Sequence, residues 1–536
     1  MPDNGRKADT VTLTIDGQEV TVPKGTSLLH AAETLGTEVP HYCYHPGLTA
    51  PAQCRICLVE VEGAPKLQPS CVTMAQDGQV VHTDSPAAKR MRQGVLEFYL
   101  VNHPLDCPIC DMSGECMLQD YVFEEGREKG RGREPKRVFG RDDFGGDVLY
   151  YGDRCVMCTR CVRFMDEVAR DSRLTVVDRG SRAVIDTFFD RGLEGASFAG
   201  NVVDICPVGA LVSKDFLHKA RAWDLDHTQS VCPSCSQGCN IEMHTRDNLV
   251  QRLKPRENQE VNGHWMCDYG RANYEWMNRP GRLEEPSAGR GPKRRRVDWK
   301  SALEHLFVQL REGFGAEVKV VGSASASNEA LAVLAVVAGA AGDVSARVFR
   351  SVRAADEVPL PGFPSLVRRR DLVPNVDGAG LLGFERCGDD GAGGGLEDVA
   401  GHDGVLLVLG DELADQGEDF GAGASLYVYL GTFDSPAARH ADFVLPVTTF
   451  AEEEGSFVNA QGRVQRYWQG MQAPGSARPA WLVLGALAAA LGGEGTPASA
   501  EDVFAGLVAS HPAFAGLTYD ALGDQGAALQ TEAVHG

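Results

Sequence analysis

The sequence predicts a multidomain protein, α+β in its first half and α/β in its second. Three observations carry that division. Fifteen of the 16 cysteines lie between Cys43 and Cys267, and the rest of the chain holds only Cys387. The first residues alternate polar and apolar about a turn, the pattern of a strand hairpin. The second half mixes short apolar runs, GVLLVLGDE and LYVYL, which read as buried strands, with ALEHLFVQL and WLVLGALAAAL, which read as helices. A length of 536 residues allows about three or four domains with conventional cores.

Composition is ordinary for a globular chain at 43% hydrophobic and 24% charged, and 61 glycines imply much turn and loop. A net charge of −22 argues against nucleic acid or an anionic membrane surface as partner. The basic run Lys293, Arg294, Arg295, Arg296 follows Gly and Pro and reads as a solvated linker. MPDNGRKADT has no apolar core of a secretory signal, and the stretches Ala330 to Gly342 and Trp481 to Gly492 fall short of a membrane span of roughly 20 residues. The expectation is a soluble intracellular protein. Its thiols are then kept reduced, so the cysteines are read as metal ligands rather than disulfides.

Asp16-Gly17 within VTLTIDGQEVTV predicts a hairpin. Thr26 or Ser27 can cap a helix through Leu28, Ala31, Ala32 and Leu35 that stops at Gly36. Cys43, Cys54, Cys57 and Cys71 follow with spacing C-x10-C-x2-C-x13-C, and CLVEVEG runs out of the middle pair as a strand. The two-residue gap lets two thiolates share one centre. A Gly- and Pro-rich ligand loop after a ββα unit favours a plant-type [2Fe–2S] site, although zinc takes the same ligands.

AAKRMRQGVLEFYLVN, from Ala87 to Asn102, places Met91, Val95, Leu96, Tyr99 and Leu100 at helical spacing. His103-Pro104 should end that helix. HPLDCPICDMSGEC then offers His103, Cys107, Cys110 and Cys116, a complete four-ligand set of one imidazole and three thiolates. Replacing a thiolate by imidazole removes a negative charge and should raise a cluster's potential.

Cys155, Cys158 and Cys161 form C-x2-C-x2-C, the most specific iron–sulfur spacing in the sequence, and Cys206 in CPVGA is the best fourth ligand for a [4Fe–4S] cluster. Cys232, Cys235, Cys239 and Cys267 make C-x2-C-x3-C-x27-C, which alone also suits a zinc ribbon. Four clusters use fifteen cysteines and His103, leaving Cys387 as a free thiol in a Gly-rich stretch.

These residues, in this order, closely resemble the family of the large iron–sulfur subunit of respiratory complex I, in its bacterial form the large iron–sulfur component of NADH-quinone oxidoreductase. The strong part runs from about residue 10 to 282. HPLDCPIC is nearly diagnostic, and the fourth site resembles an additional cluster of some bacterial versions. CDYGRANYEWMNRPGRLEEP, VDWKSALEHL and ARHADFVLPVTTFAEEEGSFVNAQGRVQ, the last from Ala438 to Gln465, look like the molybdopterin oxidoreductase fold. The resemblance implies a β-grasp 2Fe–2S ferredoxin domain at 1–86, a His-Cys segment at 87–126, a 4Fe–4S ferredoxin-like domain at 150–224, a 4Fe–4S domain of molybdopterin-oxidoreductase type at 225–282, and a shortened, degenerate molybdopterin-oxidoreductase-like domain at 283–536. No metal ligand stands in the expected stretch after Cys267, so no molybdopterin is expected. Gly455, Asn459 and Gly462 read better as turn formers than as pterin contacts. The segment 388–404 reads as an exposed loop.

The function so implied is electron transfer without bond chemistry in this chain. One [2Fe–2S] and three [4Fe–4S] clusters would pass electrons from the Cys43 site to the Cys155 site and then to the His103 site. No nucleotide- or flavin-binding motif is present, and a two-electron hydride must be split by a flavin. The implied partners are therefore a flavin- and NADH-binding subunit, a small 2Fe–2S subunit and quinone-side subunits, with the protein peripheral on the cytoplasmic side of the inner membrane. The alternatives are an iron–sulfur subunit of an NAD-linked formate dehydrogenase or hydrogenase, or a zinc-rich scaffold without redox activity.

Overall fold

A computed structural model describes residues 9–187, 192–313, 315–387, 396–413, 415–493 and 495–530. The chain divides into two compact units, residues 1–224 with Leu360–Gly362, and residues 225–359 with 363–536.

The first unit opens with the expected hairpin. Thr10–Ile15 pairs antiparallel with Gln18–Pro23, and Asp16 (φ 48°) and Gly17 (φ 83°) take the two left-handed positions that a tight hairpin turn requires. The Asp16 carboxylate also accepts the backbone N–H of Thr83 at 2.7 Å, so the turn is tied to the far side of its sheet. That sheet runs in the order Gln18–Pro23, Thr10–Ile15, Val80–His82, Leu58–Val61, Gln68–Pro69. Helix Leu28–Glu33 is capped by Ser27, whose hydroxyl accepts from His30 N. Leu13, Leu29, Ala32, Val59 and Val81 fill the core between them, and Cys57 and Cys71 belong to the same cluster.

Helix Pro86–Leu100 ends ahead of His103-Pro104 as expected, but the face it buries differs from the periodic reading. Ala88, Arg92 and Leu96 are buried, whereas Met91 is 42% exposed. Arg92 donates to the Glu125 carboxylate on helix Met117–Glu125 and to the Thr83 carbonyl, so an ion pair occupies a position that hydrophobicity scores as surface. A second sheet, Arg141–Gly145, Val148–Tyr151 and Leu211–Ser213, carries the loop before helix Arg160–Arg163.

The second unit begins with an antiparallel sheet of Asp226–Val231, Asn240–Arg246 and Leu249–Pro255. Its main layer is an eight-stranded sheet, Arg295–Arg296, Ser287–Ala288, Phe443–Pro446, Leu426–Gly431, Val405–Leu409, Glu317–Ser323, Asp343–Arg350, Glu385–Arg386. From Phe443–Pro446 to Glu385–Arg386 every neighbour is parallel. Val405–Leu409 and Leu426–Gly431 are buried throughout, which is why they read as unbroken apolar runs. Helices Trp299–Glu312, Asn328–Ala341 and Ala480–Ala490 contribute Leu306, Leu331, Leu334 and Leu484 to its core.

Two loop expectations change. Arg295–Arg296 is an edge strand paired with Ser287–Ala288, and Arg294 donates to the Ala438 carbonyl, so backbone pairing absorbs a run that charge alone marked as a linker. In 388–404, residues 388–395 lie outside the described residues, while Leu396–Ala400 is a short helix with Val399 buried. Among the described residues no helix is long and apolar enough to cross a membrane.

Removing one partner of the Arg92–Glu125 pair strands a buried charge. Arg92→Ala should destabilise the first unit by about 3 kcal/mol, and the paired replacement R92M/E125L by clearly less. Hydrogen exchange in Pro86–Leu100 and Met117–Glu125 measures both, and equal loss of protection would show that charge pairing is not what matters there.

Candidate metal centres

Cys43, Cys54, Cys57 and Cys71 are all buried, and the fold draws them into contact. The Sγ atoms of Cys43 and Cys54 stand 3.4 Å apart, and those of Cys57 and Cys71 3.5 Å. Cys43 and Cys57 are pushed up as acids, first because each donates to the sulfur of Cys54 and then by burial. Ala52 and Arg55, flanking Cys54, hold left-handed φ of 52° and 60°, so the loop stores backbone strain at the sulfurs.

Cys155, Cys158, Cys161 and Cys206 line one cavity with Tyr150, Ile185, Val208 and Leu211. Burial raises Cys155, Cys158 and Cys206 to about 11 and Cys161 well above its usual value. Against burial, backbone N–H groups of Val208, Leu211 and Ala210 favour the Cys206 thiolate. Met157 (φ 51°) and Thr159 (φ 61°) bend the ligand loop, and Met157 N lies 3.3 Å from Cys155 Sγ.

His103 is half-buried, with its Nδ1 fully shielded and without a hydrogen-bond partner. Burial, then the charges of Arg154 and Lys136, lower its pKa to about 4, which keeps the ring neutral and one nitrogen lone pair available. Cys110 and Cys116 are buried, the latter raised to about 11 by burial, while Cys107 is exposed in the short helical turn Cys107–Ile109. Gly209, in the CPVGA run, explains how this set approaches the previous one. A Cβ there would stand 2.2 Å from Cys110 Sγ, so only glycine fits. Arg154 lies between the two sets. It donates to the Asp106 carboxylate at 3.0 Å, packs over the Tyr151 ring at 4.0 Å, and acts electrostatically on both His103 and Cys110.

In the second unit, Cys232, Cys235, Cys239 and Cys267 are buried and close enough to raise one another's pKa after burial has done so, Cys232 to about 12. Cys267 caps helix Asp268–Ala272 by accepting from Gly270 N at 3.3 Å. A Cβ on Gly270 would stand 3.0 Å from Cys232 Sγ and 3.5 Å from Cys267 Sγ, so those sulfurs meet above it. The hairpin Gly455–Val458/Arg463–Tyr467 braces this loop: Asn459 donates to the Gln237 carbonyl and Gln465 to that of Gly238. Asn459 also accepts from Gln461 N and Arg463 N, and Gly462 has φ 70°, so both form the turn as expected. Gly455 does not. It lies inside the strand, where a Cβ would meet Ser327 and Tyr467 at 2.7 Å, and close packing is its reason. Cys387 is a buried thiol whose Sγ lies 3.3 Å from the Phe349 carbonyl.

Cysteine spacing alone does not single out Arg154, Arg160 and Arg163, which alternate with the cysteines of DRCVMCTRCVR. A cation between thiolate ligands was the available signal. Nor does it mark His227, Glu242 and His244, whose ligand atoms lie within 4.8 Å of one another. His244 Nδ1 accepts from Arg252 at 2.9 Å, which places its proton on Nε2 facing Glu242 and puts a cation beside the ring, so this group is a hydrogen-bonded strand pair rather than a metal site.

Donor type, burial and convergence all suit iron–sulfur binding, and matches to known families define the protein as an iron–sulfur protein with a molybdopterin-oxidoreductase-type region. Residues 8–86 match the 2Fe-2S iron-sulfur cluster binding domain, 92–131 the NADH-ubiquinone oxidoreductase-G iron-sulfur binding region, and 145–212 the ferredoxin-like domain of NADH-quinone oxidoreductase subunit 3. Residues 225–279 match the molybdopterin oxidoreductase Fe4S4 domain and 405–490 molybdopterin oxidoreductase.

The protein is a homologue of the G-type subunit of NADH-quinone oxidoreductase. It is 39% identical to that subunit from Rickettsia bellii over 325 residues, covering 60% of this chain and 47% of the relative. It is 43% identical over 296 residues to the mitochondrial NADH dehydrogenase [ubiquinone] iron-sulfur protein 1 of Solanum tuberosum, covering 55% and 40%. The 78 kDa subunit of the Candida albicans NADH-ubiquinone oxidoreductase is 29% identical over 594 residues, covering 89% and 82%. The alignments thus span about half the length of the first two relatives.

Gly209→Ala should cost the centre at Cys110 while sparing the rest of the first unit. Iron analysis should then fall by about four irons per chain, and unchanged iron would show that Cys110 is not a ligand.

Proposed function

We propose that this protein is an electron conduit of an NADH:quinone oxidoreductase, passing single electrons from a flavin-bearing, NADH-oxidising partner toward quinone-side subunits. The proposed ligands are Cys43, Cys54, Cys57 and Cys71 for a [2Fe–2S] cluster, and three sets for [4Fe–4S] clusters: His103 with Cys107, Cys110 and Cys116; Cys155 with Cys158, Cys161 and Cys206; and Cys232 with Cys235, Cys239 and Cys267. Such clusters, when bound, take up and release one electron at a time. The five domains keep the boundaries given above, the first taken as a β-grasp ferredoxin, and no molybdopterin is assigned. The partners are the flavin and NADH subunit, the small 2Fe–2S subunit and the quinone-side subunits, and the place is the cytoplasmic side of the inner membrane, held there by those partners.

The observation that supports this reading is the contact between consecutive ligand sets. Arg163 touches the carbonyls of both Cys43 and Cys158, and Gly209, three residues after Cys206, lies against Cys110. The residues do the work of a conduit: they exclude water from the sulfurs, fix the separation of the sets and aim N–H groups and cations at them. Exposed Cys107, with Leu105 and Ile109 also exposed, favours the His103 set as the side from which electrons leave.

Anaerobically prepared protein should be brown and contain about 14 irons per chain with matching sulfide. Colourless protein holding zinc would overturn the reading, and about 10 irons with one zinc would overturn the assignment at Cys232. His103→Ala should abolish or alter one [4Fe–4S] EPR signal and leave the [2Fe–2S] signal intact, whereas His103→Cys should keep a cluster at lower potential; unchanged spectra in both would remove His103 from the ligand set. The Cys232 set lies off the path, because four thiolates joining Cys267 to Cys232 hold the second unit together as structural metal sites do. Serine substitutions there should reduce assembly more than turnover of complexes that assemble. Near-complete loss of NADH-to-quinone activity in assembled complex, with other signals intact, would put that cluster on the path.

A further inference from the structure

The junction between the Cys43 and Cys155 sets is built around one guanidinium. Arg163, at the end of helix Arg160–Arg163, uses a single nitrogen, Nη2, to donate to the backbone carbonyl of Cys43 and, at 3.3 Å, to that of Cys158. Its Nη1 donates to the Thr49 carbonyl, and its Nε reaches Thr159 Oγ1 at 3.4 Å. One turn earlier the buried Arg160 donates to the carbonyls of Tyr44 and Ile205, the residues next to Cys43 and Cys206. Burial works against the Arg160 charge, and the fields of Cys158 and Cys206 work for it. Gln53 closes the same junction by donating to the Met157 carbonyl and Thr159 Oγ1, both at 3.0 Å. No carboxylate accepts from Arg160 or Arg163 among the described contacts, so both cations act on the ligand loops instead of being spent in an ion pair.

Resting on the ligand sets proposed above, we infer that Arg163 is a positioning residue shared by two redox centres, its one positive charge raising the potentials of the Cys43 and Cys155 clusters together. A cation near a cluster favours the reduced, more negative state, and hydrogen bonds that draw charge from the ligand backbone act in the same direction. A single charge touching both loops stabilises the electron on either side, so the step between them stays nearly level while the pair as a whole becomes easier to reduce. Separate cations would tune each side independently. Arg160 adds to the same field from the Tyr44 and Ile205 side.

The test is a reductive poise of the full-length protein followed by EPR, comparing native protein with Arg163→Gln and Arg163→Lys. In R163Q the ratio of reduced to oxidised cluster at fixed ambient potential should fall about tenfold for both the [2Fe–2S] signal and the Cys155 signal, about 59 mV for a one-electron couple, with the His103 signal unmoved. R163K, which keeps the charge, should stay within about threefold of native for both. A shift confined to one cluster, or no shift in either, overturns the inference, as does R163K behaving like R163Q, which would make hydrogen-bond geometry and not charge the cause. Should R163Q fail to retain both clusters, Gln53→Glu sets a negative charge at the same junction and should lower both ratios together; unchanged ratios there overturn the inference as well. Native protein lacking a [2Fe–2S] or Cys155 signal would instead defeat the underlying ligand assignment, so the two failures are told apart.

Discussion

Crowding buried sulfurs together is the constraint on which the rest of this structure depends. Each thiol that loses water resists ionising, and each ionised neighbour makes the next ionisation harder, as the raised Cys155, Cys158, Cys161 and Cys206 show. Such a group becomes favourable only when positive charge reaches the sulfurs, from a bound metal or from the protein. Much of the first unit supplies the protein's share. Arg154, Arg160 and Arg163 reach into the spaces between ligand sets, and the amides of Val208, Ala210 and Leu211 turn toward Cys206.

The local backbone follows from the same demand. A loop wrapping a metal centre must turn its N–H groups inward, which calls for left-handed residues. Where side chains are also needed, the backbone accepts them on non-glycine positions: Ala52 and Arg55 at one set, Met157 and Thr159 at another. Where two centres approach, the side chain is deleted instead, as at Gly209 against Cys110; the same device brings Cys232 and Cys267 together over Gly270. The second unit solves a different problem. Its parallel sheet buries apolar strands on both faces, and its hairpin at Asn459 and Gln465 serves to brace the Cys235–Cys239 loop.

Much of this was legible in the sequence, because ligand spacing, turn chemistry and apolar periodicity are local. Asp16-Gly17 specified its turn, Ser27 its cap, Val405–Leu409 and Leu426–Gly431 their buried strands, and the cysteines their grouping into sets. The failures share one cause. Met91 and Arg92 were misplaced because Arg92 finds Glu125 across 33 residues, and no helical period records a distant ion partner. Arg295–Arg296 became a strand because Ser287–Ala288, itself paired with Phe443–Pro446, offered backbone partners that a charge run does not reveal. Gly455 read as a turn because a glycine needed for close packing has the same letter as one needed for its φ.

The sequence by itself determined the chemistry: soft thiolate donors in four sets, one of them with an imidazole, in an acidic protein with an α/β second half. Ligand type and spacing suffice for that, since two thiolates separated by two residues reach one metal in almost any loop. Tertiary structure alone decided which sets are neighbours and what lies between them. The contacts from Arg163 to the carbonyls of Cys43 and Cys158 span 120 and 5 residues, and Gly209 meets Cys110 across a comparably long separation. Such encounters depend on how separate sheets and helices pack, and that packing is set by burial summed over the whole core rather than by any residue's immediate neighbours.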